Sequence, residues 1–125
     1  MQKILILNVD DNLNARYAKT RLLMNAGFRV EEAEDGGEAL TMVAQLMPNL
    51  VLLDVKLPDI SGHEVCRRIK ANPVTGDVLV MQISAALISQ DDTARGMESG
   101  ADFYLAAPFE PKDLVSSVRA LLRKH

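Results

Sequence analysis

Short apolar runs alternate with helical patterns along the whole chain. Five runs predict strands, and they span Lys3–Val9, Arg29–Ala33, Leu50–Leu53, Val78–Ile83 and Phe103–Ala106. Three of them are nearly continuous Val, Ile, Leu and Met, which is typical of parallel strands covered on both faces. Strand–helix units of roughly 25 residues account for the chain, and right-handed crossovers place helices on both faces of one sheet. The pattern therefore predicts an α/β fold with a doubly wound, five-stranded parallel sheet.

Apolar residues at helical spacing predict a helix after each of these strands. The first helix follows Asn12 and ends at Gly27, and its shared apolar positions are Ala15, Ala18, Leu22 and Ala26. The other four helices end at Pro48, before Asn72, at Ser99 (from about Gln90) and at Arg123-Lys124. Periodicity gives the class of the fold, but it does not give the order of the strands.

Composition narrows the classes of protein that fit this pattern. The chain has 125 residues, so we expect a single domain over residues 1–125. A net charge of −3 and 4% aromatic residues argue against a nucleic-acid or membrane-surface partner. No apolar run is long enough for a membrane span or a signal peptide. The lone Cys66 excludes an internal disulfide, and the expected compartment is the cytoplasm.

Acidic side chains follow two of the predicted strands. Asp10 and Asp11 end the first strand and Asp54 ends the third, while Ser84 ends the fourth. Ligands of parallel sheets bind beyond the carboxyl ends of the strands, so these groups are expected to converge there. Several carboxylates together favour a hard cation such as Mg²⁺. The alternative is that each aspartate is a turn residue, with Asp11 or Asn12 capping the first helix.

Three segments resemble the receiver domains of response regulators, the chemotaxis-regulator type. They are Ile4–Asp11, Leu50–Gly62 and Gly100–Leu105, and the middle segment is the most specific because it matches the phosphoacceptor strand and its following loop. The resemblance covers the full chain. It implies a flavodoxin-like sheet in the order 2-1-3-4-5.

The resemblance also implies a role for individual residues. Asp54 would accept a phosphoryl group from a sensor histidine kinase or a phosphotransfer domain. Mg²⁺ would be held by Asp11 and Asp54 directly, by Asp10 through water and by the backbone carbonyl of Lys56. Ser84 would donate a hydrogen bond to the phosphoryl group, and Tyr104 would be the aromatic switch. The chemistry would be limited to self-phosphorylation and autodephosphorylation.

One position departs from the family pattern. Receivers carry a lysine before the proline that follows the fifth strand, and here Ala107 occupies that place. A charge-assisted hydrogen bond to phosphate contributes about 1.5–3 kcal/mol, so phosphorylation is expected to be weakened rather than abolished. Lys56 or Lys112 could compensate, although each also fits a solvated surface lysine. The resemblance further makes a cis Ala107–Pro108 bond plausible.

Other functions stay open at this level. A degenerate receiver would keep the fold and act as a phosphorylation-independent interaction module, for which Ala107 is the main support. An enzyme on a similar fold is disfavoured, because no glycine-rich loop follows the first strand and Lys56 replaces the second aspartate of a dehalogenase-type phosphatase. His63 is expected to be a poor metal ligand. The downstream partner, a possible homodimer, and the choice between a stand-alone regulator and part of a hybrid kinase are not fixed by the sequence.

Overall fold

A computed structural model of the chain describes residues 3–84 and 99–124. The strands within these residues are β1 (Leu5–Val9), β2 (Arg29–Ala33), β3 (Leu50–Asp54), β4 (Leu79–Ser84) and β5 (Phe103–Ala106). The helices within them are α1 (Leu13–Asn25), α2 (Gly36–Leu46), α3 (Gly62–Ala71) and α4 (Pro111–Lys124). The helix predicted from about Gln90 to Ser99 lies, apart from Ser99, outside the described residues.

All five strands form one parallel sheet in the order β2-β1-β3-β4-β5. This order confirms the doubly wound arrangement and the strand order implied by the resemblance. The predicted strand bounds differ from the observed ones by at most two residues, because strand ends are set by pairing with neighbours as well as by the apolar run. The order places β1 and β3 side by side in the middle of the sheet, with their carboxyl ends at one edge.

Helices cover both faces of this sheet. Leu53 of β3 packs in a core with Val43 of α2 and Val65 of α3. The preceding residue, Leu52, packs on the opposite face with residues of α1 and α4. Successive side chains of a strand point to opposite faces, so a continuous apolar run is what a doubly covered strand requires.

The predicted buried face of α1 is wrong. Ala15 and Ala18 are exposed, whereas the buried residues of α1 are Arg16, Lys19 and Leu23. The Arg16 guanidinium donates to the backbone carbonyl of Asp10 at 2.8 Å and also contacts Glu32. Partners for the two cations lie beneath the helix, so the helix turns its charged stripe inward and leaves the alanines outside.

The ends of the helices follow the sequence signals more closely. The side chain of Asn12 accepts a hydrogen bond from the amide of Ala15, so Asn12 is the N-cap of α1. Gly27 follows the helix with φ of 100°, a left-handed conformation that glycine adopts without strain. The third helix ends at Ala71, before Asn72, as predicted.

A carboxylate ties the loop after β3 to the start of α2. The two oxygens of Asp59 accept hydrogen bonds from the amides of Gly36 and Gly37, each at 2.8 Å. These backbone donors lower the pKa of Asp59 from 3.8 to about 2. The contact fixes the loop that leads away from Asp54.

We expect Asp59→Asn to lower the melting temperature at neutral pH, because the amide cannot accept both hydrogen bonds as a carboxylate does. A depressed pKa stabilises the fold above the unfolded value and is lost as pH falls toward the folded value. The difference between the wild type and Asp59→Asn should therefore shrink as pH falls from about 4 to about 2. Thermal unfolding across this range measures it, and equal melting temperatures at neutral pH would contradict the assignment.

Candidate functional site

Three carboxylates meet at the edge of the sheet where β1 and β3 end. Asp10 and Asp11 follow β1, and Asp54 is the last residue of β3. Each offers an oxygen, and these oxygens lie within 4.8 Å of one another. Asp10 is buried, Asp54 is half-buried and Asp11 is exposed. The convergence predicted from the strand ends is present, and an all-oxygen donor set of this kind fits a hard divalent cation.

Asp54 sits in surroundings that oppose its negative charge. Burial raises the pKa of this carboxyl from 3.8 to about 6, against the effect of the Lys56 amide, which donates to Oδ1 at 3.1 Å. The nearby charge of Asp10 raises the pKa further, and the charge of Lys19 lowers it. A carboxylate held in this way gains from a cation placed beside it.

Asp10 is held from two sides. Its Oδ1 accepts a hydrogen bond from the amide of Asn12 at 2.9 Å, and its Oδ2 lies 2.9 Å from the Nζ of Lys19. The side chains of Lys19 and Asp10 are 9% and 5% exposed, so the pair is buried. The orientation of the Asp10 carboxylate is therefore fixed by α1 and by the turn that leads into it.

A cavity of about 750 Å³ opens over the three carboxylates. Its apolar walls come from α1 and from the segment after β5, through Ala15, Ala18, Leu22, Pro108, Phe109 and Pro111. The alanines that were predicted to face the core thus line this cavity. An anion that reaches Asp54 here is bordered by carboxylates below and by apolar surface on both sides.

The other predicted site residues divide into two groups. Ser84 ends β4, is buried and lines the cavity, and Lys56 lines it as an exposed residue. Ala107 lines the opposite wall, and its amide donates to the carbonyl of Ser84 at 2.7 Å. The Ala107–Pro108 peptide bond is cis, as predicted. Lys112 is exposed on α4 and is not part of the cavity lining.

Tyr104 lies away from the carboxylates, on β5. It is half-buried, and its ring stacks on that of His63 with centroids 6.4 Å apart. The buried hydroxyl of Tyr104 has no hydrogen-bond partner among residues 3–84 and 99–124. His63 lies in the first turn of α3, and its Nδ1 is 3.1 Å from the Oε1 of Gln82. The structure therefore gives Tyr104 a neighbour that sequence patterns did not predict.

Sequence reasoning also missed Lys19. A signal was present, since Arg16, Lys19, Thr20 and Leu23 share one face at helical spacing. The apolar alanines drew the interpretation to a different face of the same helix. Had the acidic pair before the helix been matched with cations on it, this face would have been the better prediction.

Curated relatives are about twice as long as this chain. It is 42% identical over 119 residues to the response regulator MprA of Mycobacterium leprae, covering 95% of this chain and 51% of the relative. It is 43% identical over 120 residues to the DNA-binding response regulator MtrA of Mycobacterium bovis, covering 96% and 51%. The expectation of no nucleic-acid partner is therefore wrong as drawn. Charge and aromatic content of 125 residues cannot exclude DNA binding when similar sequences belong to longer, DNA-binding proteins.

Solved structures share the fold over nearly the whole chain. A CheY-like receiver domain protein from Methanospirillum hungatei superimposes with a TM-score of 0.91 and 27% identity, covering 98% of this chain and 96% of the other. The signal receiver domain of a histidine kinase from Syntrophus aciditrophicus gives 0.89 and 28%, covering 96% and 90%. The family model described as the response regulator receiver domain matches residues 6–119. With this match, the converging carboxylates and the sheet order, the chain belongs to the response regulator receiver domain family.

Proposed function

We propose that this chain is a phosphoacceptor that receives a phosphoryl group on Asp54 from the phosphohistidine of a sensor kinase or phosphotransfer domain. The observation that carries the proposal is the three-carboxylate cluster, with Asp54 open to the cavity and its oxygens beside those of Asp10 and Asp11. Membership of the receiver family supports it. The proposed setting is the cytoplasm, and among residues 3–84 and 99–124 no helix is long and apolar enough to cross a membrane.

The cluster fits Mg²⁺ by its donor set and charge. Asp11 and Asp54 would hold the ion directly, Asp10 through water, and the carbonyl of Lys56 would complete the protein ligands. Bound there, Mg²⁺ neutralises negative charge on the carboxylate and on the incoming phosphoryl oxygens. The raised pKa of Asp54 supports this assignment, because a carboxyl that resists ionisation alone is favoured as a carboxylate by a neighbouring cation.

The residues of the chain position the transfer. A carboxylate oxygen of Asp54 attacks phosphorus in line with the leaving nitrogen, the P–N bond of phosphohistidine breaks, and a P–O bond forms. The electron pair of the broken bond returns to the imidazole. The strand end holds Asp54 stiffly, since Asp54 pairs with Ile83 in the sheet. Ser84, at the end of the adjacent strand, would donate its hydroxyl to a phosphoryl oxygen.

The response would pass along β4 and β5. Ser84 pairs with Ala106, and Gln82 pairs with Tyr104, so a movement at the end of β4 reaches both residues through the sheet. We propose Tyr104 as the aromatic switch, with altered contacts to a downstream protein or to a second copy of the chain as the output. Its only covalent chemistry would be gain and loss of its own phosphoryl group.

Incubation with acetyl phosphate tests the proposal. We expect the intact mass to rise by one phosphoryl group when Mg²⁺ is present and not when it is removed by EDTA. Borohydride reduces an acyl phosphate, so peptide mapping after reduction should locate the modified residue at Asp54. No adduct at saturating Mg²⁺, or an adduct on another residue, would contradict the proposal, and no adduct would favour a phosphorylation-independent module.

A further inference from the structure

A phosphoryl group on Asp54 would leave the site short of positive charge. With Asp10 and Asp11, a phosphoryl dianion brings the local charge to about four negative units, twice what one Mg²⁺ balances. A cation from the protein is therefore needed close to the phosphoryl oxygens. This argument rests on the proposed function.

Two lysines line the cavity within the described parts of the chain, and only one is fixed in place. Lys56 is exposed, so its ammonium is hydrated and free to move. Lys19 is held under α1 with its side chain 9% exposed, and its Nζ is anchored 2.9 Å from Asp10. Its charge is felt at Asp54, where it lowers the pKa of the carboxyl. The opposite wall offers a methyl group at Ala107 and no charge.

We propose that Lys19 contacts the phosphoryl group on Asp54 and supplies, from α1, the ammonium that the wall at Ala107 does not provide. An ammonium carries three donors, and Asp10 Oδ2 takes one of them. The remaining donors are available for phosphoryl oxygens that enter the cavity. The simpler alternative is that Lys19 only neutralises Asp10, which would make it a structural residue.

The two roles differ in what a neutral side chain at position 19 changes. If Lys19 only supports Asp10, Lys19→Met alters stability or Mg²⁺ affinity but not anion binding once Mg²⁺ is saturating. If it contacts the phosphoryl group, anion binding falls at saturating Mg²⁺. In that case an ammonium from the opposite wall, introduced as Ala107→Lys, should restore it.

Beryllium fluoride, a phosphoryl mimic, is the probe, and fluorine NMR at saturating Mg²⁺ measures its apparent affinity. We expect Lys19→Met to weaken binding about ten- to a hundredfold, the effect of one charge-assisted hydrogen bond. Lys19→Gln, which keeps a donor for Asp10, should weaken it similarly, and serves if Lys19→Met does not fold. Lys19→Arg, which keeps the charge, should bind more tightly than either. The exposed Lys112→Met is the matched control and should bind as the wild type does.

The double variant decides between the roles. Ala107→Lys should recover most of the lost affinity in the Lys19→Met or Lys19→Gln background and add less in the wild type. Folded Lys19→Met or Lys19→Gln with wild-type affinity, or no recovery in the double variant, would overturn the inference. If the wild type itself binds no beryllium fluoride at saturating Mg²⁺, the proposed function fails instead.

Discussion

Replacing Asp54 with asparagine is expected to abolish the acetyl phosphate adduct entirely. The amide oxygen is a poor nucleophile and the amide group cannot carry the negative charge that binds Mg²⁺, so both requirements for transfer are lost. Intact mass after incubation with acetyl phosphate and Mg²⁺ measures the adduct. No other aspartate should take over, because Asp10 is buried in its pair with Lys19.

The same variant is expected to be more stable than the wild type in metal-free solution at neutral pH. Burial and the charge of Asp10 raise the pKa of Asp54 to about 6, so the ionised form destabilises the fold. A raised carboxyl pKa lowers stability as pH rises from the unfolded value toward the folded one, so the gain should vanish below about pH 4.

A matched control separates these effects from the loss of any aspartate. Asp77 is exposed and lies just before β4 begins, at the opposite edge of the sheet from the cluster. Asp77→Asn should keep the adduct and the wild-type melting temperature. An adduct that persists in Asp54→Asn, or disappears in Asp77→Asn, would contradict the assignment of Asp54.

Replacing Gly62 with alanine is expected to damage both the fold and the site. A Cβ at this position would lie 2.2 Å from the backbone oxygen of Asp54 and 2.8 Å from the Cα of Val55. The amide of Gly62 also donates to the carbonyl of Val55 at 2.8 Å, which holds the two segments together. Overpacking of this kind costs about 1–3 kcal/mol in the free energy of unfolding, and rigid backbone atoms place it at the upper end.

The effect on phosphorylation should exceed the loss of folded protein. The strand end that carries Asp54 must move to admit the methyl group, and transfer depends on in-line geometry. Denaturant unfolding and the rate of adduct formation at saturating Mg²⁺ measure the two effects. Gly37→Ala is the control, because its Cβ would meet nothing closer than 3.4 Å and alanine favours the helix. Wild-type stability in Gly62→Ala would refute the close approach seen here.

Much of the fold follows from patterns that the sequence carries locally. A strand covered on both faces must be apolar at every position, so Leu50–Leu53 is recognisable without its neighbours. The order of strands is different, because it depends on which strands pair, and it came from the resemblance rather than from periodicity. The convergence of Asp10 and Asp54 followed from both, since strand ends share an edge only once the sheet is parallel.

The first helix shows where local patterns fail. Apolar spacing assigned Ala15 and Ala18 to the core, yet the structure buries Arg16 and Lys19. The decision lies in tertiary partners, since burying a cation is favourable only when an anion or carbonyl waits beneath it. Those partners belong to β1 and β2, so a reading confined to the helix could not weigh them. The same limit hid the stacking of His63 on Tyr104.

Composition misled the partner prediction for a related reason. Net charge and aromatic content describe the residues that are present, and the relatives that match are about twice as long. A family whose members include DNA-binding regulators is not limited to protein partners by the surface of one half. The kinase-side partner, which acts at Asp54, is the part of the prediction that the site itself supports.

The central claim is that three carboxylates hold Mg²⁺ so that Asp54 can carry a phosphoryl group. A crystal structure of the protein with Mg²⁺ and beryllium fluoride tests it most directly. The account predicts beryllium fluoride bonded to a carboxylate oxygen of Asp54, with an octahedral ion among Asp10, Asp11 and Asp54. A structure grown at saturating concentrations of both, with the carboxylates free of the ion and of the fluoride, would contradict it.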